Sequence, residues 1–186
     1  MDVRRVVTGH NPEGKAIFAS DERVPPILLD LMPGMEMHRL WGADTALRFP
    51  DAGAEPASPQ YFPPLGGFRV GMFTVPPSNT VVNLDGLDLG KAAAEMEAAL
   101  PGLASHMEPD SPGMHTTATI DFEYVVSGRC VLELDDGATV ELGPGDTVVQ
   151  NGTRHAWRNP YSDPCLMVVV LIGAHHDRVA TNEASN

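Results

Sequence analysis

Short apolar runs separated by turn residues dominate the second half of the chain. Tight turns such as Ser127-Gly128 and Gly143-Pro144-Gly145 punctuate this region, and no helical pattern interrupts it. Without helices between them, the strands cannot form βαβ units, so the spacing favours an antiparallel barrel or sandwich. The six strand candidates are Ile120–Val126, Cys130–Leu134, Thr139–Leu142, Asp146–Gln150, His155–Arg158 and Cys165–Ile172.

The first half of the chain predicts further strands and a single helix. Residues 50–67 are rich in proline, glycine and alanine, which indicates a long surface loop. Leu89–Leu100 consists largely of strong helix formers, and Asp88 is placed to cap its first turn. The strand candidates here are a hairpin of Val3–Thr8 and Lys15–Ala19, followed by Val24–Leu31, Met37–Trp41 and Phe68–Val75.

A length of 186 residues suits one domain with a real core. We expect a barrel over residues 68–174, followed by a tail at 175–186. Residues 1–67 form a strand-rich arm and loop that is too short to be a domain. We therefore expect this arm to pack on the barrel or on a dimer partner.

Charge narrows the range of partners. Lysine and arginine number 12 against 25 acidic residues, which gives a net charge of −13 and no basic cluster. Such a surface repels nucleic acid and anionic membranes, so we expect neither as a partner. The longest apolar run, Leu166–Ile172, is far too short to span a membrane, and residues 1–10 lack the pattern of a signal peptide. These features predict a cytoplasmic protein in which Cys130 and Cys165 are reduced, structural thiols.

Histidine and acidic residues occur at suggestive spacing in two segments. The first, Pro112–Gly128, reads PGMHTTATIDFEYVVSG, and the second, Gly145–Asn159, reads GDTVVQNGTRHAWRN. Together they resemble the paired motifs of the cupin superfamily, G-x5-H-x-H-x(3,4)-E-x6-G and G-x5-P-x-G-x2-H-x3-N. The resemblance covers about the last third of the chain, and the second motif is the more specific.

Each segment departs from its motif. In the first, His115 falls on the first histidine and Asp121 on the glutamate, but Thr117 replaces the second histidine. In the second, Gly152, His155 and Asn159 fit, and Gln150 replaces the proline. The resemblance implies a jelly-roll-like antiparallel β-barrel with an N-terminal strand arm, a bound divalent metal and a homodimer that often exchanges N-terminal strands.

The spacing of these residues predicts a shared site even without the family resemblance. Alternate residues of a strand share a face, so the odd-numbered residues from 115 to 123 can point into a barrel, as can His155 with Trp157. Two imidazoles and the Asp121 carboxylate would then form a 2-His-1-carboxylate site for iron, manganese, zinc or nickel. In that hypothesis, Thr117, Thr119 and Trp157 contact the substrate.

Alternatives remain open at this stage. With one motif histidine missing, the barrel can hold an organic molecule and no metal, leaving His115 and His155 as acid–base groups. Glu123 is either a second inward carboxylate or, after a one-residue bulge, an outward one. Trp157 either stacks on a flat or sugar-like ligand or belongs to the core.

These observations lead to two hypotheses about function. The first is a metal-dependent enzyme of small-molecule metabolism, of the decarboxylase, dehydratase, isomerase or dioxygenase type, with His115 and Glu123 as catalytic residues. The second is a metal-free cupin that binds or senses a metabolite without turnover. A shared fold does not decide between them.

Overall fold

The computed structural model describes residues 1–80 and 86–179. All strand pairs in this part of the chain are antiparallel, and α1 (Leu89–Ala99) is its single α-helix. The expected all-β architecture with one short helix is confirmed. The strands are β1 (Val3–His10), β2 (Ala16–Val24), β3 (Met37–Ala43), β4 (Phe68–Val75), β5 (Thr119–Ser127), β6 (Cys130–Glu133), β7 (Thr139–Leu142), β8 (Thr147–Asn151), β9 (Ala156–Arg158) and β10 (Cys165–Gly173).

The strands form three sheets. A five-stranded sheet has the order β3-β4-β10-β5-β8, a three-stranded sheet has the order β7-β6-β9, and β1 and β2 pair as a separate hairpin. Side chains from both larger sheets, including Met167 of β10 and Leu132 of β6, join in one buried apolar cluster. β3 lies within the predicted N-terminal arm and pairs with β4, so this part of the arm belongs to the main sheet.

Strand β10 lies at the centre of the five-stranded sheet. Its sequence, CLMVVVLIG, is apolar on both faces. Cys165, Met167, Val169 and Leu171 are buried in the core, whereas the alternate residues on the opposite face are only partly covered. Apolar residues on both faces of a strand are typical of a sheet that is covered on both sides.

Two sequence predictions in the first half were wrong. Val24–Leu31 is not a strand, since β2 ends at Val24 and only Ile27 makes an isolated bridge, to Met37. Pro25 and Pro26 explain this outcome, because proline has no backbone N–H with which to continue a ladder. The 50–67 segment is irregular as predicted, but it is not entirely a surface loop, because Phe62 is buried in the core.

The predicted helix and its cap are confirmed. The Lys91 backbone N–H donates to Asp88 Oδ1 at 3.0 Å, which satisfies one of the free donors of the first turn. Ala92 is the buried residue of this helix. Among the described residues, none of the helices has the length and hydrophobicity needed to cross a membrane.

The loop between β9 and β10 is fixed by one buried side chain. Asn159 Nδ2 donates to the carbonyl oxygens of Val75 and Asp163 at 2.8 and 2.9 Å. Its Oδ1 accepts from the Tyr161 backbone N–H at 2.9 Å. Asn159 therefore ties the loop to the end of β4, which is a structural role rather than a chemical one.

We predict that Asn159→Ala destabilises the protein by roughly 2–4 kcal/mol, because it leaves several buried backbone groups without a partner. Chemical denaturation monitored by circular dichroism measures the change. Asn151, an exposed asparagine on β8, provides the matched control, and Asn151→Ala should change stability by less than about 0.5 kcal/mol. Equal effects of the two substitutions would contradict the assigned role of Asn159.

Candidate functional site

A cavity of about 190 Å³ lies between the two larger sheets. Strands β3, β4, β5, β9 and β10 contribute to its wall, together with segments around residues 32–35, 61–62 and 103–115. Most lining residues are apolar, and the polar ones include two histidines and two carboxylic acids. The polar set is His115, Asp121, Glu123 and His155.

The two histidines are neighbours in space although they are 40 residues apart in sequence. The backbone N–H of His115 donates to the His155 carbonyl and the reverse bond is also present, each at 3.0 Å. Their ring centroids are 4.2 Å apart, with the planes inclined at 50°. A strand-like bridge thus places both imidazoles side by side on the cavity wall.

Backbone contacts fix the tautomer of each imidazole. His115 Nδ1 lies 3.0 Å from the Gly113 carbonyl oxygen, and His155 Nδ1 lies 2.9 Å from that of Thr153. A carbonyl oxygen only accepts, so each Nδ1 carries the proton and donates it. Each Nε2 is left with a free lone pair, in the manner of the second-shell contacts that orient metal-bound histidines.

Burial keeps both imidazoles neutral. It lowers the pKa of His115, and it lowers the pKa of His155 to about 4 with a further contribution from His115. The bond to the Thr153 carbonyl opposes the shift at His155. Near neutral pH, both rings therefore present an unprotonated Nε2 as a hydrogen-bond acceptor or base.

Gln150 occupies the position where the cupin motif has proline. This side chain is buried, and its Nε2 donates to the Thr153 carbonyl oxygen at 3.0 Å. The same oxygen accepts the proton of His155 Nδ1. Gln150 therefore holds the carbonyl that orients His155, a positioning role that its polar amide supplies.

Two carboxylic acids of β5 face the same cavity. Asp121 and Glu123 are both buried, and Asp121 Oδ1 and Glu123 Oε2 have no hydrogen-bond partner among the described residues. Burial raises the pKa of Asp121 to about 6, a shift that Thr119 opposes. Burial, and then the charge of Asp121, raises the pKa of Glu123 to about 8. Glu123 is accordingly protonated at neutral pH.

Of the three residues predicted to contact the substrate, one lines the cavity and two do not. Trp157 lines the cavity, with its ring 6.1 Å from that of His155 in an edge-on arrangement. Thr117 and Thr119 are buried, and their hydroxyl oxygens lie 2.8 Å apart, but neither residue is among those lining the cavity. β5 begins only at Thr119, so His115 belongs to the bridge with His155 and not to that strand.

Sequence reasoning missed much of the apolar wall. Tyr61 and Phe62 come from the proline-rich segment, where no periodic pattern marks them, and burial and Asp121 raise the pKa of Tyr61. Phe73 shares the inner face of β4 with Val75, a signal that strand alternation contains. The other missed residues are Met32, Met35, Met37, Leu103, Met107, Val169 and Leu171.

The donor types in the cavity suit a divalent cation, but their arrangement does not complete a site. Two unprotonated imidazole nitrogens and an unpartnered Asp121 oxygen are suitable ligands. Within residues 1–80 and 86–179, however, no three His, Cys, Asp or Glu side chains are grouped closely enough to hold a metal ion. The side chains as placed do not fit a three-ligand metal centre, so the metal site stays a prediction.

The fold and the site define a class of protein. The chain is an antiparallel β protein whose two sheets enclose a cavity lined by a histidine pair and buried carboxyl groups. Residues 105–171 match the sequence family described as Cupin domain. This segment includes His115 and His155. This part of the chain is therefore a cupin domain.

Curated relatives of short stretches of the chain are named as proteins of biosynthesis clusters. Oryzines biosynthesis cluster protein J of Aspergillus oryzae is 45% identical over 49 residues, which are 26% of this chain and 27% of that protein. Phomopsin biosynthesis cluster protein C' of Diaporthe leptostromiformis is 48% identical over 46 residues, 25% of this chain and 24% of that protein. The match thus spans about a quarter of the length of these curated relatives.

Solved structures with a similar backbone fold are more distant in sequence. The polyketide cyclase RemF from Streptomyces resistomycificus is 17% identical, with a TM-score of 0.44, over 87% of this chain and 82% of that chain. A Cupin 2 conserved barrel domain protein from Salinispora arenicola is 20% identical, with a TM-score of 0.42, over 82% and 90%. Neither likeness bears on activity.

The buried carboxyl groups predict an unusual dependence of stability on pH. Because the folded state raises the pKa of Glu123 from 4.5 to about 8, it binds a proton that the unfolded chain has lost in this range. The stabilisation is fully present below about pH 4.5 and is lost as pH rises towards 8, with a slope of at most about 1.4 kcal/mol per pH unit. Denaturation at a series of pH values should show this loss in the wild type.

Two isosteric variants separate the contributions. Glu123→Gln should flatten the profile between about pH 6 and pH 8 and leave the slope that Asp121 produces at lower pH, whereas Asp121→Asn should reduce the slope only below about pH 6. Profiles that run parallel in the wild type and in Glu123→Gln would show that Glu123 is not buried in the protonated form.

Proposed function

We propose that this protein is an enzyme of small-molecule metabolism that moves protons on a substrate held in the cavity. The observation that carries the proposal is the pairing of two unprotonated imidazole nitrogens with two buried carboxyl groups around one cavity. Decarboxylation, dehydration and isomerisation all require proton transfer to or from carbon or oxygen.

The two pairs of groups have complementary roles in this proposal. His115 and His155 accept a proton at Nε2, because each Nδ1 is already bonded to the main chain. Glu123 donates a proton from its neutral form, since its pKa is raised to about 8. Such a separation of a base from an acid by their environments is how one site supports both directions of proton transfer.

The apolar surroundings support catalysis as well as binding. The walls include the apolar side chains of Phe73, Trp157 and Leu171, and apolar surroundings strengthen each electrostatic contact within the cavity. The curated relatives that match part of the chain are named as biosynthesis cluster proteins, which favours a role in small-molecule metabolism. Binding without turnover is the alternative function.

A metal-assisted form of the same site is favoured by one observation. Both Nδ1 atoms are anchored to carbonyl oxygens, as in histidines that bind a metal through Nε2. His115 and His155 would hold the ion, and Asp121 would have to approach them as a third ligand. A bound divalent cation would polarise a substrate oxygen.

The proposal is tested by incubating the protein with a panel of small carbonyl and hydroxy compounds in deuterated water. We expect the wild type to convert or deuterate at least one compound, as detected by mass spectrometry. His155→Gln should lower this rate at least about 100-fold, the range in which a lost general base falls. His10 gives the matched control, because its Nδ1 also lies near a backbone carbonyl, Asp51 O at 3.2 Å, but outside the cavity.

The same assay separates the alternatives. Activity that is lost in EDTA and restored by iron, manganese, zinc or nickel identifies the metal-assisted form, and activity unaffected by EDTA identifies the metal-free form. A compound that binds in the cavity and is returned unchanged, with no deuterium, contradicts the enzyme and leaves the binding protein. Equal rates for His155→Gln and His10→Gln would refute the role of the imidazole pair.

A further inference from the structure

We propose that the cavity takes a neutral molecule with one aromatic ring and a hydroxyl group, such as a substituted phenol. The inference rests on the proposed function, because it names the substrate class of the same cavity. Size, the chemistry of the walls and the polarity of the lining groups each support it.

Size restricts the ligand to about one ring. The cavity has a volume of about 190 Å³. An apolar protein cavity of about 150 Å³ holds a benzene molecule. The remaining space suffices for two or three further non-hydrogen atoms, so a bicyclic molecule or a nucleotide is too large for the cavity.

The walls favour a flat, polarisable ligand. Trp157 and Phe73 lie on one side with ring centroids 6.4 Å apart, and Phe62 and Tyr61 contribute further aromatic surface. Aromatic pairs in edge-on or offset contact are more favourable than their buried area alone suggests. Thioether side chains adapt to a ring and also make favourable sulfur–aromatic contacts. The methionines of the wall are Met32, Met35, Met37 and Met107.

The polar groups select for hydroxyl donors and against other classes. His115 and His155 present acceptors at Nε2, and an unpartnered oxygen on Asp121 adds a third polar site. Among the described residues that line the cavity there is no lysine or arginine, so an anionic ligand would find no cation. A sugar would leave most of its hydroxyl groups against apolar walls, unpaired and at a cost in free energy.

Trp157 provides a direct reporter for the test. The chain has two tryptophans, and Trp41 is not among the residues lining the cavity. In a Trp41→Leu variant the fluorescence therefore comes from Trp157 alone. We expect p-cresol to change this emission and to saturate at millimolar concentration, at least tenfold below any effect of 4-methylbenzoate or glucose. Saturation-transfer NMR on the wild type gives the same ranking without any substitution.

The outcomes distinguish the substrate class from the proposed function. Binding of 4-methylbenzoate or glucose in preference to p-cresol overturns the substrate class, whether or not the protein is an enzyme. Binding of p-cresol together with no turnover or deuteration of any compound in the panel sustains the class and refutes the enzyme. A weaker affinity for 4-methylcyclohexanol than for p-cresol is expected, and equal affinities would contradict the role of the aromatic wall.

Discussion

The site depends on a short antiparallel bridge between two segments that are distant in sequence. The paired backbone hydrogen bonds of His115 and His155 hold the start of one segment against the start of β9. Each imidazole then donates to a carbonyl two residues before it, Gly113 for one ring and Thr153 for the other. The main chain, and not a neighbouring side chain, therefore sets the orientation of both rings and directs both Nε2 atoms away from the backbone.

This dependence explains how the chain tolerates its departures from the cupin motifs. Gln150 replaces a proline, yet its amide restrains the same Thr153 carbonyl that His155 uses. Thr117 replaces a histidine, and its hydroxyl pairs with that of Thr119 in the interior. Both substitutions put a hydrogen-bonding side chain where its partners are available. The polar groups beside the bridge and at the start of β5 therefore keep their hydrogen bonds.

Much of the fold follows from local patterns, and the site follows only in part. Alternation along β5 correctly placed Asp121 on a buried face, because a regular ladder fixes which side each residue takes. For Glu123 the sequence left both faces open, and the regular register of β5 from Thr119 to Val125 puts it on the buried one. It did not show that β5 begins only at Thr119 and that His115 belongs to a separate bridge. A two-residue bridge has no periodicity, so no pattern in the sequence marks it.

The residues of the cavity wall were harder to predict for a different reason. Tyr61 and Phe62 lie in an irregular, proline-rich segment, and their position is set by long-range contacts such as the bond from the Tyr61 N–H to the Pro101 carbonyl. The predicted strand at Val24–Leu31 failed because Pro25 and Pro26 break the ladder that its apolar residues suggest. In the first case tertiary contacts decide the local structure, and in the second the missing N–H donors of proline do. Neither is visible in the pattern of hydrophobic residues.

Burial of two carboxyl groups beside two acceptor nitrogens, with one oxygen of each carboxyl group lacking a protein partner, is costly for the fold. Each buried polar atom without a partner costs on the order of 1–3 kcal/mol, and protonation of Glu123 reduces the cost by removing its charge but does not supply a partner. A stable core has no need of such an arrangement, since apolar residues at Asp121 and Glu123 would pack into the same space. A bound molecule that forms hydrogen bonds with these atoms recovers part of this cost. The polarity of the cavity is therefore best understood as complementary to a ligand, and the apolar walls make each recovered hydrogen bond stronger than it would be in water.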